Sequence, residues 1–247
     1  MKRDLELSKK LNLNYLNYTN LTITAKSNDL PTLYCKPSYY PDFLALSSEP
    51  GLYNKTNATA VCFYEFDNIM DGQNGLANAI YYANQKQLEQ FKKRFAEVKY
   101  FIMPDFTQAG DGLRIDNENR LLRARLVAIW LMVELNAYVL PNITTPDLER
   151  LEFFLDGYQE CDAIAISTKG HMQDVTERNQ LRDVINRTVS YLHPKAIIVY
   201  DVCGDQAETY RLFEYAAKMG VRIIVPSNTL QIRNMQKLKG GDNNANK

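Results

Sequence analysis

The chain has 247 residues, enough for one large domain or two small ones with a sizeable core. Its 29 basic and 29 acidic side chains cancel, which argues against a protein whose main work is gripping a nucleic-acid backbone, because such proteins carry a basic excess. The four cysteines, Cys35, Cys62, Cys161 and Cys203, lie far apart. They give no zinc spacing and no disulfide framework, and with a highly charged start and no run of roughly 18 apolar residues the expected location is the cytoplasm, away from membranes.

Residues 1–55 show little regular pattern. Prolines 31, 37, 41 and 50 and the aromatic group Tyr34, Tyr39, Tyr40 and Phe43 read as an extension packed on the core, with too many apolar side chains for a disordered tail. Regular alternation begins at Ala60. A strand over 60–66 ends in Glu65-Phe66-Asp67, and a helix over 81–99 carries Leu88, Phe91 and Phe95 along one side.

The stretch 100–145 is the most informative. It reads as a short buried strand (100–103) ending in Pro104-Asp105-Phe106, a polar loop, a very apolar helix (117–135) and a second strand (138–140) ending in Pro141-Asn142. Good helix formers and the absence of Pro and Gly predict the helix, with Asp116 or Asn117 capping its start and Asn136 ending it. Its apolar side chains run almost all the way round, so it should be buried on most sides, Trp130 included. Further on, Pro146 opens a helix closed by Gly157. A strand over 163–167 leads into Thr168-Lys169-Gly170-His171 and a helix over 176–192. A strand over 196–200 leads into Asp201 and a helix over 207–219. A last strand over 221–225 ends at Pro226-Ser227-Asn228.

Six strands separated by five helices predict an α/β fold with a mainly parallel sheet, either doubly wound with helices on both faces or an incomplete (β/α) barrel if the N-terminal residues add strands. The α/β domain should span 56–232, followed by a flexible polar tail over 233–247. In both architectures ligands bind beyond the carboxyl ends of the strands. The residues expected there are Glu65, Asp67, Asp105, Asn142, Ser167, Thr168, Lys169, Asp201, Ser227 and Asn228. Carboxylates so arranged could act as acid and base or hold Mg²⁺, and Asp67, Asp105 and Asp201 should converge. The competing reading is that polar residues past strands simply turn the chain and cap helices.

Arg123 and Arg125 sit in the apolar helix and point to different sides of it. Neither guanidinium can be buried alone, so each should meet a carboxylate or a ligand phosphate, with Asp105 or Asp116 the expected structural partner. Ser167-Thr168-Lys169-Gly170 resembles a generic phosphate-cradling loop, though neither GxxxxGK[ST] nor GxGxxG occurs. His171 is a candidate base, and His193 before Pro194 reads as a turn residue. Neither a Ser/His/Asp triad, a nucleophilic cysteine pattern nor a His/Cys metal cluster is legible.

Several pieces recur in a fixed order: the acidic YEFD strand end, Pro104-Asp105-Phe106-Thr107, Arg123, Arg125 and Trp130 on one helix, Val139-Leu140-Pro141-Asn142, FLDG at 154–157, Ile166-Ser167-Thr168 with Gly170, and Pro194 before IIVY. From Val61 to about Pro226 the chain thus resembles a family of uncharacterised proteins, a domain of unknown function common in Gram-positive bacteria, their phages and mobile elements. Asn136 stands where that family usually has a glycine. The resemblance implies the fold and a mobile-element origin and no catalytic residue. The expectation taken forward is a polar strand-end site for a phosphate-bearing or nucleotide-like ligand. The alternatives are a non-enzymatic adaptor or inhibitor of a host or element protein, or a nucleic-acid accessory factor using the basic stretch 233–239.

Overall fold

The computed structural model describes residues 24–108, 112–144, 148–203 and 205–241. The fold is α/β and every strand pairing within its sheets is parallel. In chain order the strands are β1 (Phe43–Leu46), β2 (Thr59–Cys62), β3 (Tyr100–Ile102), β4 (Tyr138–Leu140), β5 (Ala163–Ser167), β6 (Ala196–Tyr200), β7 (Arg222–Ile224) and β8 (Ser227–Asn228). They form a five-stranded sheet, ordered β4-β3-β2-β1-β8, and a three-stranded sheet, ordered β5-β6-β7.

Two links join these sheets into a ring. Past the end of β4, Asn142 bridges to Ala165 of β5: the Ala165 amide donates to the Pro141 carbonyl at 2.8 Å and the Ile143 amide to the Ala165 carbonyl at 2.9 Å. On the other side β7 and β8 are separated by only Val225 and Pro226, so one bent strand pairs with β6 through its first half and with β1 through its second. Neighbours around the ring therefore follow chain order without a switch point, as in a (β/α) barrel with seven strand positions. Of the two expected architectures the doubly wound sheet is excluded, and helices on both faces with it: right-handed crossovers in unbroken order put every connecting helix outside the ring.

The ring closes through a segment expected to lack regular structure. Phe43–Leu46 pairs in register with β2, Phe43 opposite Thr59 and Leu46 opposite Cys62, and Leu44 and Ala45 are fully buried. The described part of 1–55 is thus a barrel strand as well as a covering, while 1–23 lies outside the described residues. The described part of the expected tail is helical, since the last helix runs Thr229–Gly241 and its backbone includes the basic stretch 233–239, while 242–247 lie outside the described residues.

The outer helices are α1 (Asp67–Asp71), α2 (Leu76–Tyr81), α3 (Gln85–Arg94), α4 (Arg114–Leu135), α5 (Leu151–Leu155), α6 (Val175–Leu192), α7 (Gln206–Leu212), α8 (Glu214–Lys218) and α9 (Thr229–Gly241). The expected helix over 81–99 is shorter and preceded by two others. The expected helix over 207–219 is broken at Phe213 into α7 and α8. The start expected at Pro146 lies outside the described residues.

Helix α4 is buried almost continuously from Ala124 to Leu131, with Trp130 1% exposed. Its start is Leu113, extended and without a side-chain cap, so neither Asp116 nor Asn117 caps it; Asn117 is buried instead. Its end is Asn136, held at φ 50°. That left-handed conformation suits glycine best and asparagine next, which accounts for Asn136 where a glycine is usual.

Arg125 is fully buried on this helix. Its guanidinium donates to three backbone carbonyls, Pro31 at 2.9 Å, Phe154 at 3.1 Å and Asp156 at 2.6 Å, and lies 4.3 Å from the Tyr158 ring centroid. A Cβ at Gly157 would stand 2.5 Å from its Nη1, so only glycine fits there. The expected partners, Asp105 and Asp116, are not used. Three carbonyls satisfy the charge while stapling the N-terminal segment and the end of α5 to α4.

Candidate functional site at the barrel mouth

Seven strand ends open on one rim. The interior below it is filled rather than hollow, because Tyr64, two residues past β2, stacks on Tyr200 at the end of β6 with ring centroids 4.5 Å apart. β2 and β6 are not neighbours in the ring, so this pair spans the interior. It forms the floor of the mouth.

Above that floor a hydrogen-bonded chain fixes one carboxyl group. The Tyr64 hydroxyl donates to Asn142 Oδ1 at 2.8 Å, and Asn142 Nδ2 donates to Asp105 Oδ1 at 2.9 Å. Tyr64 and Asn142 are buried, so their rotamers are set by packing. Asp105 follows Pro104 at the end of β3 and is half-buried. Burial raises its pKa to about 6, with the neighbouring Asp67 pushing the same way, while hydrogen bonds from Asn142 and Thr144 and the charge of Lys169 oppose the rise. A carboxyl group there changes protonation near neutral pH.

Lys169 reaches across from the end of β5, and its Nζ donates to the Tyr64 carbonyl at 2.8 Å, near enough for its charge to act on Asp105. Its ammonium is also 5.9 Å from the ring centroid of the exposed Phe66. Asp67 opens α1 beside this group. It accepts from the Thr107 amide at 3.1 Å and from Arg120 Nη1 at 2.8 Å, which holds the loop after β3 against α1. Outward from Asp67 lies a polar depression of about 330 Å³ lined by Asp67, Asp71, Phe106, Asp116, Asn119, Arg120 and Arg123. Arg123 pairs there with Asp71, donates to Asn78 Oδ1 at 2.7 Å and covers the Tyr81 ring. Its partner is thus Asp71, in place of Asp105 or Asp116.

The expected residues divide into two groups. Asp105, Asn142, Lys169 and Asp67 come together at the mouth, and Arg123 borders the depression next to it. Glu65 is also on the rim, where its Oε2 accepts from Ser47 Oγ. Asp201 does not join them. It is fully buried, and Thr168 Oγ1 (3.1 Å), Thr209 Oγ1 (2.8 Å), the Cys203 amide (3.1 Å) and Gln231 Nε2 (2.8 Å) all donate to its carboxylate. Asn228 Nδ2 donates to its backbone carbonyl at 2.8 Å. Thr168 is buried in the same knot, and Ser167 is turned to its own loop, where its Oγ accepts from the Lys169 amide at 3.1 Å. No cradle of free amides forms there. His171 is exposed on the following turn, its amide donating to the Thr168 carbonyl at 3.2 Å, and Arg125 faces the far side of α4. Among the described residues no group of three or more His, Cys, Asp or Glu is placed to hold a metal ion.

Sequence reasoning missed Tyr64, Thr144, Arg120 and Asp71. Tyr64 stands inside the YEFD segment, but nothing local distinguishes an inward tyrosine from an outward one before the ring is closed.

The model of a domain of unknown function, DUF4417, matches residues 28–216. The chain belongs to the DUF4417 family. The match takes in β1 and runs into α8, so all of the Tyr64–Asn142–Asp105 chain and Lys169 lie inside the DUF4417 domain, as does Asp201; Asn228 and Gln231, which close the Asp201 knot, lie beyond it. No curated protein and no solved structure matches the chain. No helix among the described residues is long and apolar enough to cross a membrane.

Proposed function

We propose that the barrel mouth binds a small polar ligand and exchanges a proton with it through Asp105. The observation that carries this reading is the Tyr64–Asn142–Asp105 chain, which ties one oxygen of a half-open carboxyl group at the strand ends of a parallel barrel. A proton-transfer group must be positioned before its acidity matters, and here two buried side chains do the positioning. Burial then sets the acidity close to neutral, so that the same group can take up and release a proton under one set of conditions. Lys169, which has no carboxylate partner among the described residues, supplies the positive charge for an anionic part of the ligand, which supports a phosphate-bearing or nucleotide-like molecule. No step in this reading runs through a metal.

The test is a thermal-shift screen of the full chain with phosphorylated small molecules, using wild type, Asp105→Asn and Lys169→Met. A ligand at about 100 times its Kd should stabilise wild type by about 2.7 kcal/mol, a rise of roughly 5–10 °C for a domain of this size. Asp105→Asn and Lys169→Met should each remove most of that rise. A rise that survives both substitutions places the ligand elsewhere and refutes the proposal.

A second reading has its own observation. Phe66 is 81% exposed, and Leu113 and Ile115 are each about two-thirds exposed at the start of α4, with Val175 equally exposed at the start of α6. These apolar side chains stand on the strand-end face around the mouth. They support an adaptor or inhibitor that covers this face with another protein. Size-exclusion chromatography of wild type and Phe66→Ser with a candidate partner separates the two, because only the second reading requires Phe66.

A further inference from the structure

The outer layer of the barrel holds a second cavity with a different character. It lies between α6 and the α7–α8 pair, has a volume of about 430 Å³, and is lined by Arg182, Asn186, Arg211, Leu212, Glu214, Tyr215 and Lys218. Small-molecule sites span roughly 300–1,000 Å³. Three cations from three separate helices face one acid in it, an excess of two positive charges over the lining residues (three minus one).

The acid does not neutralise them. Glu214 belongs to Lys218, four residues on in α8, at 2.6 Å. Its carboxyl is held below the ordinary glutamate range by that lysine first and by Arg182 across the groove only in a lesser degree. Arg182 makes one hydrogen bond, from Nη1 to Asn179 Oδ1 at 3.0 Å on its own helix. Among the described residues the Arg211 guanidinium has no hydrogen-bond or ion-pair partner. Two guanidinium groups directed into one groove repel each other and keep most of their N–H donors unused, and an oxyanion relieves both conditions at once. The wall adds neutral groups. The Tyr215 hydroxyl lies 3.0 Å from Ser190 Oγ.

We infer that the groove between α6 and α7–α8 binds a small phosphorylated molecule, with Arg182 and Arg211 holding the phosphate. The site is independent of the barrel mouth: it lies on the helical layer, and none of its lining residues belongs to the Asp105 chain or the depression beside it. It offers a carboxylate paired to a lysine and no half-buried acid, so it is a binding site rather than a place of proton transfer. All three cations are on exposed positions of helices, so substituting them disturbs no core packing.

Isothermal titration calorimetry of the full chain at low ionic strength tests this with two probes, inorganic pyrophosphate and ribose 5-phosphate. One equivalent of each should bind wild type. Arg211→Ala should weaken both at least tenfold, and the Arg182→Ala/Arg211→Ala double variant should abolish binding. Lys86→Met, an exposed lysine on α3 that belongs to neither site, should change neither. The inference is overturned if wild type binds neither probe, or if binding is lost in Lys169→Met and kept in Arg211→Ala. It is also overturned if a single-stranded 12-nucleotide DNA binds at least 100-fold more tightly than both probes with the same arginine dependence, because the groove then serves a polymer.

Discussion

Asp105 and Asp201 occupy the same kind of position, the first residues past a barrel strand, and the structure uses them in opposite ways. Asp105, after β3, accepts side-chain hydrogen bonds on one side, meets Asp67 and Lys169 on the other and stays half open to solvent. Asp201, after β6, is closed off completely, with four protein donors on its two oxygens. A carboxylate at a strand end is therefore not by itself a site. What decides is whether the surrounding elements use up its lone pairs. On the β6 side β8 supplies Asn228 and α9 supplies Gln231, which together close over Asp201, while Asp105 is only partly covered at the mouth.

The largest expected effect is on the closed side. Asp201→Ala strands the Thr209 hydroxyl, the Cys203 amide and the Gln231 amide in the buried interior and leaves Thr168 Oγ1 only its longer contact to the Tyr200 carbonyl, 3.4 Å. Each unpaired group costs about 1–3 kcal/mol, and some relaxation is expected, so the loss should be roughly 3–5 kcal/mol. Chemical denaturation should show it as a lower midpoint with an unchanged slope. A stability within 1 kcal/mol of wild type would mean that Asp201 is not a structural hub and could reopen it as a ligand group.

Next comes a single strut of that hub. Thr209→Val removes one donor of similar volume and leaves Asp201 Oδ1 with two, Thr168 and the Cys203 amide. The expected loss is about 1–2 kcal/mol, read from the same denaturation curves. A loss as large as that of Asp201→Ala would show that the knot fails as a unit.

On the open side the sign reverses with pH. The folded-state pKa of Asp105 is raised to about 6 from an ordinary 3.8, so the unfolded chain binds fewer protons than the native one between those values. The contribution of Asp105 to stability is therefore fully present below about pH 4 and is lost as pH rises through 6. Asp105→Asn, which keeps the shape without the charge, should melt no lower than wild type at pH 7 and 8, by up to a few degrees higher. The difference should vanish by pH 4. A variant that melts lower at pH 8 would show the carboxylate to be stabilising, as Asp201 is.

The smallest effect sharpens the contrast within the site. Asn142→Ala removes a hydrogen bond that favours the ionised carboxylate, so the Asp105 titration should move further above 6, followed by carboxyl-carbon NMR. Tyr64→Phe, which leaves Asn142 in place but unanchored, should move it in the same direction and by less. No movement in either variant would detach Asp105 from the chain that positions it.

Much of the fold was legible because its causes are local. The short apolar run before Pro104, the helix formers from Leu121 to Leu135 and the asparagine at 136 each dictate a conformation from a few neighbouring side chains, and the alternation of such segments sets an α/β fold with parallel strands. The rim residues followed from that, since strand ends are countable along the chain. Ring closure was not legible, because it depends on Phe43–Leu46 finding β2, on Asn142 meeting Ala165, and on one bent strand serving two neighbours. All of these are contacts between distant parts of the sequence.

The partners of the charged groups were equally out of reach. The sequence by itself determined that Arg123 and Arg125 needed partners, since a guanidinium in an apolar helix cannot stay unpaired, but not that one would take Asp71 and the other three carbonyls. It determined that Asp105 and Asp201 would stand at strand ends, but not that α9 would enclose only the second. Side-chain chemistry states the demand for a partner in one dimension. The partner is whatever the closed barrel brings within about 3 Å, and that distance exists only after the chain has folded.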